Sequence, residues 1–355
     1  MAKVISVGTA DAPYKFPQRE VKDFVHGLFS DTYEDIERII SVFDNSMIEM
    51  RHFSQPKEWA TQLHGFRERN ELYVKNVCTL SSEAAHNCIK GINAQFSDLD
   101  HIIFVSSTGI STPSIDALLI NELKLNCHIK RTPIWGLGCV GGAVGLSRAF
   151  EYARAYPSGT ALLIAVEICS LAFQRDDYSK SNIIATSLFS DGAAGAVVVG
   201  KGHELFERGG ISFIDSLSTT FPNSVDVMGW EVVETGFKVI FSRDIPTIVR
   251  KYVRPNIMEL LYKHKLSLGD IKHFITHPGG LKVIGAYEES LGLPNGSLEL
   301  SRKVLREHGN MSSPSVLYVL KEFLQSGEYS SGDYGLISAL GPGFSSEIIL
   351  FQVCP

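Results

Sequence analysis

Trp135-Gly-Leu-Gly-Cys-Val-Gly-Gly-Ala-Val-Gly145 is the stretch on which the reading of the chain turns. One cysteine, Cys139, is set among glycines, with the apolar segment 132–135 before it and a helix-patterned run over residues 143–156 after it. Strand, tight glycine turn and helix is a geometry that pushes a side chain out at a helix N-terminus. There the unpaired N–H groups and the helix dipole favour negative charge. Such a place lowers a thiol's pKa and makes the thiolate a nucleophile. A buried cysteine packing as a small hydrophobe fits the same local sequence. Taken alone, the stretch leaves both readings open.

Working outward, apolar runs of strand length alternate with segments of helical spacing. Strands are expected over residues 3–9, 101–108, 160–167 and 189–199, and helices over 18–29, 33–43, 70–92 and 114–124. Residues 46–53 read as a loop or short turn carrying Arg51. The run over 160–167 is nearly continuous in apolar residues, as for a strand covered on both faces, and Glu167 ends it. The alternation resumes with strands over 211–216, 272–277, 334–339 and 347–353 and helices over 244–261, 282–291 and 312–325. Such alternation indicates an α/β fold with covered sheets. The similar order of elements in the two parts suggests a duplicated unit, with halves at 1–205 and 206–355.

At 355 residues the chain has room for a large core, and its 20% charged and 44% hydrophobic residues are ordinary for a globular protein. A net charge of −6 argues against nucleic acid as a partner. The most apolar stretch, 159–173, is interrupted by Glu167 and too short to span a bilayer, so no membrane span is expected. The first residues turn polar too soon for a signal peptide, and a cytoplasmic location is the default expectation. Six scattered cysteines without a C-x-x-C pair form neither a disulfide framework nor a zinc pattern.

Two other places carry chemistry-bearing residues. His277 closes a strand and is followed by Pro278-Gly279-Gly280, a turn that leaves the imidazole at the strand's C-terminal end, where ligands and catalytic groups gather in α/β folds. Asn310 lies in His308-Gly-Asn-Met-Ser-Ser313, before a helix, where a capping role is the local alternative. A cysteine, a histidine and an asparagine supply a nucleophile, a base and an amide donor, a set suited to acyl transfer through a thioester. Papain-like proteases and thiolase-related condensing enzymes share that set. A papain-like cysteine would stand near the mature N-terminus rather than after a strand at 139.

In the joint order and spacing of its motifs the chain resembles the type III polyketide synthases, the chalcone-synthase-like branch of the thiolase superfamily. The carriers are Gly138-Cys139 with Gly141-Gly142, Leu188-Phe-Ser-Asp-Gly-Ala193, His277-Pro-Gly-Gly280, Gly309-Asn-Met-Ser-Ser313 and Gly341-Pro-Gly343, spread over nearly the whole length. The resemblance implies a thiolase-like duplicated αβαβα five-layer fold and a homodimer. It implies acyl-CoA and malonyl-CoA as substrates, with no metal and no organic cofactor. By that resemblance Cys139 accepts the acyl group and His277 keeps it as thiolate. His277 and Asn310 would then donate hydrogen bonds to the malonyl thioester oxygen.

Phe189 matches the family's gate between CoA tunnel and cavity. The remaining cavity positions depart from the plant enzymes. Val239 stands for a second gating phenylalanine, Thr112 for a methionine, Cys169 and Ala172 for threonines, and Leu340 for a phenylalanine. Most of these are losses of volume, which predicts a cavity for an extended apolar acyl chain, as in the bacterial alkylpyrone-forming members. Trp230 refills part of that space. Arg51 and Lys282, with Gly279 and Gly280, are the expected CoA-tunnel residues. A β-ketoacyl-ACP synthase III-like single condensation is the same-fold alternative. A Cys-His-Asn thioester hydrolase and a non-enzymatic CoA- or lipid-binding module are alternatives of other classes.

Overall fold

A computed structural model describes residues 1–30, 35–92, 94–241 and 245–354. Its N-terminal half runs through β1 (Ala2–Asp11), β2 (Tyr14–Pro17), α1 (Gln18–Phe29), α2 (Ile36–Asp44), β3 (Met50–Phe53) and α3 (Phe66–Ile89). It continues with β4 (His101–Val105), α4 (Ile115–Glu122), β5 (Lys130–Ile134), α5 (Gly141–Ala155), β6 (Thr160–Ile168), α6 (Lys180–Leu188) and β7 (Asp191–Gly200). The C-terminal half holds β8 (Gly210–Thr220), β9 (Met228–Val233), β10 (Gly236–Phe241), α7 (Ile245–Lys263) and β11 (Ile271–Thr276). It ends with α8 (Leu281–Leu291), α9 (Glu299–His308), α10 (Ser315–Ser326), β12 (Tyr334–Gly341) and β13 (Ser345–Cys354).

Nine strands form one ladder in the order β11-β12-β13-β8-β1-β7-β6-β4-β5. From the central β1–β8 junction outward, both arms repeat one pattern. β1–β7 and β7–β6 are antiparallel and β6–β4 parallel; β8–β13 and β13–β12 are antiparallel and β12–β11 parallel. The duplication suggested by element order is therefore present in strand direction. At the junction the register pairs Lys3 with Ser212 and Val4 with Ile211.

The side-chain alternation of the strands builds the layers. Ile103, Val105, Leu163 and Ala165 from one arm and Ile275, Ile337, Ile349 and Phe351 from the other bury against α5 and α10 in one central core. The opposite faces of the same strands, Ile102, Phe104, Leu162 and Ile164, pack on α3 and α4. Leu336, Ile348 and Leu350 pack on α7 and α8. Outer helices, strands, central helices, strands and outer helices make the five layers. β6 and β7 are buried at every position, which explains sequences that are apolar or small apart from Thr160, Glu167 and Asp191.

Several local expectations change. Residues 46–53 hold β3, which pairs with β2 and brings Phe16 and Phe53 to 5.7 Å between ring centroids. That contact joins segments distant in sequence, so no local periodicity announces it. The helix α6, the β9–β10 hairpin and the helix α9 carry no expectation from the sequence. The helix expected over 33–43 begins at Ile36 within the described residues, Tyr33 lying outside them. That expected over 244–261 begins at Ile245, Asp244 lying outside them. Asn310 does not cap α10, which starts after Pro314.

Candidate active site

The N-terminal ends of the two central helices meet here. Cys139 lies in the tight turn Gly138–Val140 that runs directly into α5. The backbone N–H groups of Gly136 and Gly138 donate to the Ser107 hydroxyl at 3.2 and 3.0 Å and hold the turn against the end of β4. A Cβ on Gly142 would stand 2.2 Å from the Ser313 carbonyl oxygen, so the absence of a side chain lets α5 approach the turn before α10.

That turn carries Asn310. Its backbone N–H donates to the Leu188 carbonyl and its carbonyl accepts from the Ser190 N–H, both at 2.8 Å, which pairs it with Phe189. Its side-chain Oδ1 accepts from the Ser312 N–H at 2.8 Å, and its Nδ2 donates to the Gly279 carbonyl at 3.3 Å. The second bond reaches the loop that follows β11, where His277 sits with its N–H donated to the Ser338 carbonyl. Gly280 takes φ 146°, a conformation open to glycine, and lets the loop turn into α8. Cys139, His277 and Asn310 are 4%, 4% and 1% exposed, so this chemistry is shielded from bulk water.

Burial sets the electrostatics. It pushes the Cys139 thiol up to about 12, although Ser312, Asn310 and the cysteine's own N–H offset part of the effect. It pushes the His277 imidazole down to about 3, and neither ring nitrogen has a hydrogen-bond partner among the described residues. Burial thus opposes a charge on either group taken singly.

Next to the thiol lies Glu167. Its Oε2 accepts from the Ser107 N–H at 2.8 Å and the Thr108 hydroxyl at 2.9 Å, and its Oε1 from the Ser313 hydroxyl at 2.8 Å. Burial raises it to about 7 in spite of these donors. Sequence reasoning met Glu167 as an interruption of an apolar run and met Ser312 inside a quoted motif, without giving either a place in the site. A charged residue ending an otherwise buried strand was the available signal.

Two pockets open from this point. The inner one, about 370 Å³, is lined by Cys139, Ser107, Thr108, Ser312, Met228 and Pro342 among others. The outer one encloses about 780 Å³, part of it open to solvent, between Val21, Phe24, Phe53, Trp59, Ala172 and Phe173. Cys169, Phe189, Trp230 and Val239 line both. The expected cavity residues Phe189, Cys169, Ala172, Trp230 and Val239 are therefore brought together. Trp230 is fixed by its indole N–H donating to the Ser107 carbonyl at 2.9 Å.

Other expectations are corrected. Leu340 packs in the core beneath α7 and α8 and lines neither pocket, because its side of β12 faces those helices. Thr112, beside the cis peptide to Pro113, is exposed, as the expectation of a loop that reaches a partner's cavity requires, and lines neither pocket of this chain. Arg51 is 1% exposed, so it is no part of an exposed basic mouth. Burial pushes its pKa down to about 9 against the pull of Asp191. Its Nη1 donates to the Thr186 carbonyl at 2.8 Å, and it borders the outer pocket. Lys282 is exposed on the first turn of α8, beside Gly279 and Gly280, and lines neither pocket. Lys57 lines the outer pocket and was not singled out from the sequence.

The family described as chalcone and stilbene synthases matches with its N-terminal domain over residues 1–203 and its C-terminal domain over residues 213–355. A "putative chalcone synthase" of Bacillus subtilis (strain 168) is 45% identical over 99% of both chains. A 1,3,6,8-tetrahydroxynaphthalene synthase of Streptomyces peucetius subsp. caesius is 34% identical over 98% of this chain and 92% of its own. The crystal structure of 1,3,6,8-tetrahydroxynaphthalene synthase from Streptomyces coelicolor A3(2), a bacterial type III polyketide synthase, superposes with a TM-score of 0.94 at 27% identity, covering 99% of each chain. Among the described residues no helix is long and apolar enough to cross a membrane. With two central helix ends converging on a buried cysteine and both domain matches in sequence order, the chain belongs to the chalcone and stilbene synthase family: it is a type III polyketide synthase, an acyltransferase of a family that uses acyl-CoA and malonyl-CoA without a required cofactor.

Proposed function

We propose that the enzyme loads a long-chain fatty acyl group from acyl-CoA onto Cys139. It extends that group by iterative decarboxylative Claisen condensation with malonyl-CoA and releases an alkylpyrone or alkylresorcinol. The observation that carries this reading is the apolar outer pocket, which meets the Cys139 pocket at Phe189, Cys169, Trp230 and Val239. An extended alkyl chain leaving the thioester has apolar walls to lie against, and burying it is favourable by about 0.8 kcal/mol per methylene.

His277 acts as a general base at the moment of attack. The Cys139 proton passes to the imidazole as Sγ bonds the acyl carbon, and from there to the departing CoA sulfur. Malonyl-CoA then loses CO2, and its thioester oxygen gains the charge of an enolate. His277 and the second Nδ2 proton of Asn310, the first being given to Gly279, are the donors for that oxygen. The enolate carbon attacks the Cys139 thioester, the C–S bond breaks, and Sγ leaves as a thiolate that either takes a proton from solvent or attacks the next acyl-CoA thioester. The working unit is a cytoplasmic homodimer, in keeping with six free cysteines and with an exposed Thr112-Pro113 loop that lines neither pocket of its own chain.

Mass spectrometry of products from a starter series, acetyl- to stearoyl-CoA, with labelled malonyl-CoA tests the reading. Cyclic products rising with starter length are expected. A preference for short or aromatic starters would overturn the starter assignment, as would efficient tetrahydroxynaphthalene formation from malonyl-CoA alone. A single C2 addition without cyclisation would place the enzyme with one-step condensing enzymes.

A further inference from the structure

Three side chains from separate parts of the chain converge outside both pockets. They are Asp11 at the end of β1, His52 in β3 and His308 at the last position of α9. One ligating atom of each lies within 4.8 Å of the other two. His308 Nδ1 stands 3.1 Å from an Asp11 carboxylate oxygen, an ion-pair contact. His52 is 4% exposed, and its Nε2 is buried without a partner. The two imidazoles stack at 5.3 Å between centroids. Buried imidazole nitrogens are normally satisfied; here His52 Nε2 has no partner among the described residues and lies within ligand reach of the Asp11–His308 pair.

The surroundings hold this set in place. The His52 N–H donates to the Ser190 hydroxyl at 2.8 Å, and the same hydroxyl donates back to the His52 carbonyl at 3.0 Å. The Tyr318 hydroxyl bonds an Asp11 carboxylate oxygen at 2.9 Å. Orienting bonds of this kind accompany metal ligands and tune them. Two neutral imidazoles and a carboxylate are a borderline donor set that suits zinc-class cations, and in tetrahedral coordination neighbouring ligand atoms stand roughly 3.3 Å apart. The 3.1 Å separation of His308 and Asp11 is close to that already. The Asp11 side chain is 42% exposed, which leaves an approach for the cation and room for a water. Lys15 is the nearby opposing charge, and it is exposed to solvent.

We propose that Asp11, His52 and His308 bind one divalent cation of the zinc class, with water completing the shell. The site takes no part in the condensation chemistry. It ties β1 and β3 of the N-terminal half to the end of α9 in the C-terminal half, two residues before Asn310, and so braces the turn that carries the amide.

The test is zinc titration of chelator-stripped full-length enzyme by calorimetry and elemental analysis, with cobalt absorption as a geometric probe. Wild type, Asp11→Asn, His52→Gln and His308→Gln are compared, together with Cys139→Ala to remove the thiol as a competing ligand. The expected result is one zinc per chain and a rise in melting temperature for both wild type and Cys139→Ala. Each of the three ligand variants should weaken binding at least tenfold while, metal-free, melting within a few degrees of wild type. Equal affinity in the ligand variants, or no zinc held by wild type at micromolar concentrations, overturns the assignment. If a histidine variant fails to fold, Asp11→Asn, altered at the half-exposed ligand, decides.

Discussion

Phe189 and Asn310 run side by side as a lone parallel bridge, Asn310 bonded to the residues on either side of Phe189 at 2.8 Å. The aromatic ring that separates the two pockets and the amide beside the thiol are thereby fixed to one piece of backbone.

Loading and condensation should separate by mutation. Cys139→Ala abolishes acyl-enzyme formation, seen as loss of the acyl mass adduct on the intact protein. Asn310→Ala keeps the adduct, while malonyl-dependent product formation falls by about 10²–10³, the cost of removing one donor to a developing oxyanion. An Asn310→Ala enzyme that condenses at the normal rate would remove the amide from the mechanism.

Val239 lines both pockets and is small enough to let them communicate. Val239→Phe narrows the passage and should turn preference toward short starters. The ratio of kcat/KM for stearoyl- over acetyl-CoA is expected to drop about 10–200-fold, the range that one misfitted apolar group commands. Competition assays with paired starters measure that ratio. An unchanged ratio would mean that the acyl chain takes another route.

Glu167 gives a pH signature of stability. Its folded pKa, about 7, lies above the ordinary carboxylate value, so the folded state holds the proton more tightly. Its contribution is complete below the unfolded pKa and is lost as pH rises through about 7, a loss of about 3 kcal/mol in all. In Glu167→Gln the amide oxygen can accept from Ser107 and Thr108 while the NH2 donates to the Ser313 hydroxyl. The difference in unfolding free energy between variant and wild type should therefore grow in the variant's favour from pH 5 to pH 8. A flat difference in denaturant titrations over that range would contradict a raised Glu167.

Gly142→Ala sets a Cβ against the backbone oxygen of Ser313, where no side chain can yield. Overpacking of that kind costs about 1–3 kcal/mol. Melting temperature and turnover should fall together, since α5 and the turn before α10 carry Cys139 and Asn310. Gly285, whose added Cβ meets nothing within 4 Å, is the control and should tolerate alanine.

Much of this site was legible where local sequence controls geometry. The glycines around Cys139, the Pro-Gly-Gly after His277 and the Asn-Met-Ser-Ser turn each dictate a backbone shape within a few residues, and the structure brings all three together. What escaped depends on contacts between distant segments. β3 exists because β2 pairs with it. Arg51 is buried because Thr186 and Asp191 lie against it, and no local pattern distinguishes it from an exposed arginine. Leu340 falls on the core face of β12 rather than the pocket face, and a register difference of one residue decides that. The Asp11, His52 and His308 cluster has no spacing motif, since each residue comes from a different element.

The junction of the two arms has a consequence for assembly of the protein. β1 has as its neighbours β7, where Ala2 faces Gly200, and β8, where Val4 faces Ile211. Its edges stay bare until β7 (Asp191–Gly200) and β8 (Gly210–Thr220) have been synthesised. Contacts so far apart in sequence form slowly, and unpaired strand edges are where nascent chains aggregate. The middle of the finished ladder is thus the part of this polypeptide that waits longest for its partners and stands most in need of a chaperone.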